Sequence, residues 1–270
     1  MSLPTSFQVY KAPKYSSWSK TKEYHIGTTL DTPPLYTCKE VISWSSKFTL
    51  DLHKGSTTTT DGSPVAKSTS GSIRKNQAVI TIPVAGSQHS NDYNSSKGDG
   101  GEVSEPFRRH ASLTHETWDF VIAVTTGGER NAEKFEWRRS HGDETAALRE
   151  GKSTHGWKLV RLHSGDASAG DLSRKDSRVL GESSDGKEVV AVWTDDTQTW
   201  FRGSEKGVVG KLEFTGSGAM SGDGGLGEQW KLFVAMSALH MRQVSIQYAQ
   251  ASGTASSTAA VNAAVAGGVS

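Results

Sequence analysis

The stretch from Gly227 to Gln247, GEQWKLFVAMSALHMRQVSIQ, is apolar and of helical length, yet it closes a chain built mostly of short alternating segments. From Leu232 to Leu239 its only polar residue is Ser237. A surface helix carries a one-sided apolar stripe, whereas a helix apolar all round lies inside a large core or spans a membrane. Lys231, His240, Arg242 and Gln243 interrupt the run, leaving an apolar core of about ten residues where a bilayer needs about 20. The reading is therefore a core helix over about 228–247, and the question is what surrounds it.

The rest of the chain answers with period-two patterns. In KFTLDLH, Phe48, Leu50 and Leu52 share one face; in AVITIPV, Ala78, Ile80, Ile82 and Val84 do. WDFVIAV, KFEWRRS, WKLVRLH, EVVAVW and VVGKLEF read as further strands, rich in β-branched and aromatic residues. Weaker patterns near 7–12, 23–28, 34–42, 65–70 and 199–203 bring the expectation to about twelve strands. A helix from Trp230 to Gln243 reaches about 21 Å, and a strand of six or seven residues rises about 20 Å. Helix and strands match in length. A closed sheet of about twelve strands leaves a lumen too wide for side chains alone, so the fold class expected is a closed antiparallel β-barrel around a central C-terminal helix. Gly222, Gly224, Gly225 and Gly227 in SGDGGLGEQW give the chain room to turn inward before that helix.

Sequential strands pair as hairpins and meanders in this reading, with one barrel domain over 7–247. The tail over 248–270 is Ala/Ser/Gly-rich with little to pack, and is expected to be disordered. Formal charge is +1, so no global field favours nucleic acid, and none is expected as a partner. The single cysteine, Cys38, excludes an intramolecular disulfide framework. The amino end lacks the apolar core of a secretory signal, so an intracellular, cytoplasmic protein with no transmembrane span is expected.

The segments TPPLYTCKEV (32–41), FEWRRSHGDE (135–144), GWKLVRL (156–162), EVVAVW (188–193) and LGEQWKLFVAMSAL (226–239) resemble, in this order, the superfamily of tubby C-terminal-like barrels. That group takes in the tubby domain, LURP-one-related proteins and phospholipid scramblases, and the chain is most similar to its uncharacterised fungal members. The resemblance implies a closed twelve-stranded barrel around a central helix, and a protein that is not an enzyme. Tubby domains bind phosphoinositide headgroups through basic surface residues; no residue of that pocket is carried over here. Scramblases bear a palmitoylated cysteine cluster, which this chain lacks.

The densest basic region is KFEWRRSHG followed by GWKLVRLH. If Trp137 and Trp157 face the helix, alternation puts Arg138 and Lys158 together on the outer wall, where two cations chelate a phosphate. The alternative is a solvated face neutralised by Glu136. Arg139 and Arg161 then lie near barrel ends and need carboxylate partners. KLVRL is apolar on both faces, so its outer side needs a cover, from the amino-terminal segment or a partner.

FRRHASLTHE (107–116) reads as a basic loop. Arg108 and Arg109 are further anion-binding candidates there, and Ser112 behind them resembles a site for a basic-directed kinase. His110, His115 and Glu116 lack the HExxH or CxxC spacing of a metal site, and no metal or other cofactor is expected. There is no GxSxG elbow and no GxxxxGK[ST] loop. Asp195 and Asp196 in WTDDTQTW read as a hairpin turn. Two functions follow: a non-enzymatic module for anionic phospholipid headgroups at a membrane surface, or an adaptor that contacts a protein partner through the long connections at 86–116 and 163–187. Nothing in the sequence fixes the oligomeric state.

Overall fold

The computed structural model describes residues 3–12, 20–43, 47–56, 62–70, 76–83, 102–112, 115–126, 129–148, 156–162, 181–195, 207–222 and 225–266, with side chains described as far as residue 251, Thr126 excepted. Its strands are β1 (Ser6–Lys11), β2 (Thr21–Gly27), β3 (Tyr36–Ile42), β4 (Phe48–Lys54), β5 (Ala66–Ser70) and β6 (Gln77–Pro83). They continue with β7 (Glu102–Ala111), β8 (Glu116–Thr126), β9 (Glu129–Ser140), β10 (Gly156–Leu162), β11 (Val189–Asp195) and β12 (Val208–Phe214). Three helices complete the chain: α1 (Asp143–Leu148), α2 (Gly216–Ala219) and α3 (Glu228–Ala266).

Each strand pairs antiparallel with its sequence neighbours, and β1 closes on β12, giving one twelve-stranded barrel. The alternation read from the sequence sets the inner wall: Phe48, Leu50 and Leu52 on β4 and Ala78, Ile80 and Ile82 on β6 are all buried. Every residue of α3 from Phe233 to Gln243 is buried as well. The helix is therefore covered on all sides, and its all-round apolarity follows from the barrel. Ser237, the one polar residue of its apolar run, accepts the Trp137 indole N–H at 2.9 Å and donates to Val234 O at 2.8 Å. Gly222 and Gly227 sit at φ +81° and +86°, where a Cβ would be strained, and they turn the chain into the lumen.

Two expectations change, and a third falls outside the described residues. The twelve strands include β7, where the sequence read a loop. In EVSEPFRRHA only Phe107 is buried, and Pro106 interrupts the pattern, so the segment lacks the alternation that marks a strand. The strand expected at 199–203 lies outside the described residues, as do Trp18, Trp44 and Trp200. Finally, α3 does not end near residue 247 but runs on to Ala266, in keeping with the high helix propensity of alanine. Among the described side chains, Gln247 is the last that is buried, and Tyr248 to Ala251 are exposed. Among the described residues no helix is long and apolar enough to cross a membrane.

Among the described residues, α1 is set against the β10 side of the barrel. Val160, Val189 and Val192 are buried yet stand apart from the core around α3. The helix α1 packs across β10, β11 and β12 on their outer side. At Gly156 an added Cβ would lie 2.8 Å from the Thr145 methyl of α1, so that glycine lets α1 sit close.

Candidate functional site

β9 and β10 are neighbours, and Arg138 lies directly opposite Lys158 in their register. Trp137 and Trp157 are buried, so the two cations share the outer wall as the alternation requires. Neither stands alone. Arg138 Nε donates to Glu136 Oε1 at 2.6 Å and Nη1 to Asp185 Oδ2 at 2.8 Å. Lys158 Nζ is 4.0 Å from Glu144 Oε1 on α1. Burial alone lowers the Arg138 guanidinium, but the hydrogen bonds it donates to Asp185 and Glu136 outweigh that and raise it above its ordinary value. Two cations among three carboxylates make a charge-compensated wall.

Arg108 and Arg109 belong to β7 rather than to a loop, and consecutive strand residues face opposite ways. The exposed Arg108 is set between Gln77 and Asp119 on the outer wall. Arg109 turns to the barrel mouth. There Glu116 joins it to Arg139, with Arg109 Nε to Oε1 at 2.7 Å and Arg139 Nη2 to Oε2 at 2.9 Å. The two hydrogen-bonded arginines overcome the desolvation of Glu116 and hold its carboxyl below the usual range. Arg109 also lies 4.4 Å from the Tyr248 ring, where α3 leaves the barrel, and Arg139 lies 4.2 Å from the Trp157 ring. Near the opposite end Arg161 forms a fork to Glu133, with Nη2 to Oε1 at 2.6 Å. Both end arginines thus have the carboxylate partners they need.

Ser112 is exposed and sits where β7 turns into β8. Its hydroxyl donates to His115 O and accepts the His115 N–H, both at 3.1 Å, so it helps close that turn. His110 Nε2 lies 3.2 Å from Asp119. Among the described residues no three His, Cys, Asp or Glu side chains converge on a metal position. Cys38 is fully buried, and desolvation pushes its thiol far above the ordinary value, which leaves it unreactive.

A wider electrostatic feature comes from the topology. The connections at the end where α3 emerges are 12–20, 43–47, 71–76, 112–115, 141–155 and 196–207, and they carry nine Lys/Arg against five Asp/Glu. Those at the other end are 28–35, 55–65, 84–101, 127–128, 163–188 and 215–227, with five Lys/Arg against eleven Asp/Glu. The two sets of connecting segments thus differ in the charge their sequence carries. That difference needs the strand order, which is why reading segment by segment misses it.

The inward-facing residues add charge at the same end. Lys22, Tyr24 and Ile26 of β2, and Tyr36, Cys38 and Glu40 of β3, are all buried. The register sets Lys22 against Glu40, and α3 brings buried Arg242 and Gln243 to them. The signal was present in the sequence: Lys22 and Glu40 fall on the same parity as their apolar neighbours. No protein-family model, curated protein or solved structure matches the chain.

Proposed function

We propose that this chain is a non-enzymatic module of the tubby-like kind that binds anionic phospholipid headgroups, phosphoinositides in particular, at a cytoplasmic membrane surface. The end of the barrel from which α3 emerges is the face that docks. The observation that supports this reading is the sequence charge of the segments that join the strands, nine basic against five acidic residues for those joining strands at the α3 end and five against eleven for the others. Each Lys or Arg near an anionic leaflet contributes about 1 kcal/mol. The exposed Lys20 and Lys47 together then contribute about 2 kcal/mol, or roughly thirtyfold in partitioning. The acidic end points away from the membrane and fixes the orientation. The wall bearing Arg138 and Lys158 contributes little, because Glu136, Asp185 and Glu144 compensate it.

Liposome co-sedimentation tests this, with neutral vesicles set against vesicles holding a few per cent phosphoinositide, at low and at physiological salt. Binding is expected on the anionic vesicles only, and salt weakens it. A Lys20→Ala/Lys47→Ala variant, which removes two exposed cations from the basic end, binds less. An Arg138→Ala/Lys158→Ala variant binds as the wild type does. Loss in the second variant alone would move the site to the outer wall. No sedimentation at either salt would overturn the lipid reading and leave the adaptor.

A further inference from the structure

We propose that Ser112, at the tip of the β7–β8 hairpin, is a phosphorylation site for a basic-directed protein kinase, and that the clasp of Glu116 by Arg109 and Arg139 keeps the tip closed until it is opened. The strand pairing leaves that tip accessible. β6 pairs with β7 as far as Arg108, with one further hydrogen bond from the Arg109 N–H to Asn76 O at 2.7 Å. β9 pairs with β8 from Arg138, opposite Thr117, while its last residues, Arg139 and Ser140, lie against Trp157 and Gly156 of β10. Among the described residues, His110–Ser112 and His115–Glu116 therefore run past both neighbouring strands as a two-stranded ribbon. His110, Ala111, Ser112 and His115 are all exposed. A two-stranded hairpin is marginally stable in water, and such a tip opens at low cost while the rest of the fold stays intact.

The contacts that hold the tip converge on one carboxylate. Within the ribbon Arg109 Nε donates to Glu116 Oε1 at 2.7 Å, and from β9 Arg139 Nη2 donates to Oε2 at 2.9 Å. The Arg109 guanidinium also lies 4.4 Å from the Tyr248 ring of α3. Arg109 stands three residues before Ser112 and Arg108 four before it, on the side where a basic-directed kinase reads its substrate. Arg108 is exposed and Arg109 half-buried in the clasp. The closed tip thus offers one of the two arginines, and the open tip offers both.

In the transfer, the Ser112 hydroxyl oxygen bonds to the γ-phosphorus of ATP as the bond from that phosphorus to the ADP oxygen breaks. The hydroxyl proton passes to the catalytic carboxylate of the kinase. The product loses the hydrogen bond that Ser112 Oγ donates to His115 O at 3.1 Å and gains a charge of about −1.5 to −2. The tip belongs to the end of the barrel from which α3 emerges. There the new charge offsets about two cations near an anionic leaflet and releases the barrel, a consequence that rests on the membrane reading, whereas the site itself does not.

The full chain is incubated with ATP, magnesium and a basic-directed kinase that selects arginine three residues ahead of its acceptor. The phosphate is mapped by mass spectrometry, because Arg-x-x-Ser also occurs at 161–164, 174–177 and 242–245. Incorporation is expected at Ser112 and is lost in Ser112→Ala. Glu116→Gln, which unfastens both arginines, should raise the initial rate about threefold or more, as loss of a partly exposed ion pair implies. Arg139→Gln should raise it as well; it cuts the tie to β9 without touching the kinase's recognition sequence, and thermal unfolding checks that both variants remain folded. In a second arm, the phosphorylated chain should bind anionic vesicles about tenfold more weakly than the unmodified chain.

Phosphate at another residue in place of Ser112, or no incorporation in the wild type and both clasp variants, overturns the site. A rate that neither variant raises overturns the clasp. Vesicle binding that phosphorylation leaves unchanged overturns the release. Absence of vesicle binding by either form overturns the membrane reading, while incorporation at Ser112 still establishes the site.

Discussion

His240 offers the sharpest test of the central helix. Its Nδ1 lies 2.8 Å from Ser68 Oγ on β5, and its ring lies 4.7 Å from that of Phe48 and 5.8 Å from those of Phe107 and Trp118. With no carboxylate against it, burial lowers the imidazole from 6.5 to about 3. In the unfolded chain it titrates near its ordinary value, so below about pH 6.5 the unfolded state takes up a proton that the native state refuses. Stability contributed by the neutral ring is whole above that pH, falls as the pH drops, and is spent once the native imidazole itself protonates. Between pH 7.5 and pH 5 the loss from this one group is about 2 kcal/mol. Urea unfolding of the wild type and of His240→Gln at both pH values isolates it. The wild type should lose about 2 kcal/mol more than the variant over that interval. Equal losses would show that position 240 is open to solvent or paired with an acid, and the helix would not be the barrel's core.

Two further changes probe the wall and the tail. A Cβ at Gly210 would lie 2.1 Å from Trp193 Cη2, so Gly210→Ala should cost about 1–3 kcal/mol of overpacking. Differential scanning calorimetry would read this as several degrees in Tm, and an unchanged Tm would mean that the indole is not fixed against β12. Deleting residues 250–270 should leave Tm within about two degrees, because Gln247 is the last buried side chain described. A large drop would show that the helical extension packs on the barrel.

Periodicity carried most of the fold into view. Phe48, Leu50 and Leu52 alternate because one face of β4 meets α3, and α3 shows no polar face because strands meet it on every side. The opposition of Arg138 and Lys158 was legible for the same reason, since it follows from parity and strand adjacency. Their compensation was not. Asp185 and Glu144 come from the connections that flank β10, and a connection carries no period from which its docking can be read. β7 escaped because its outer residues are charged and its inner face buries Phe107 alone. The docking of α1 beside β10 escaped because α1, DETAAL, is too short to show a helical stripe.

The polar end of the lumen bears on the fold. From Trp230 to Met241 the helix meets apolar walls, and the inner faces of β4 and β6 match it. At Arg242 the helix turns polar, and at that same level β2 and β3 present Lys22 and Glu40. Elements some 200 positions apart in the sequence thus change character together. A chain selected for stability alone would have continued the apolar pattern there, because well-packed hydrophobic side chains equal or exceed a buried ion pair in stability. The cost of burying Arg242 and Lys22 falls where α3 leaves the barrel. Lys231, equally buried near the start of α3 and 3.7 Å from Glu228, shows that the helix buries a charge toward its entry as well, there beside a carboxylate on its own first turn.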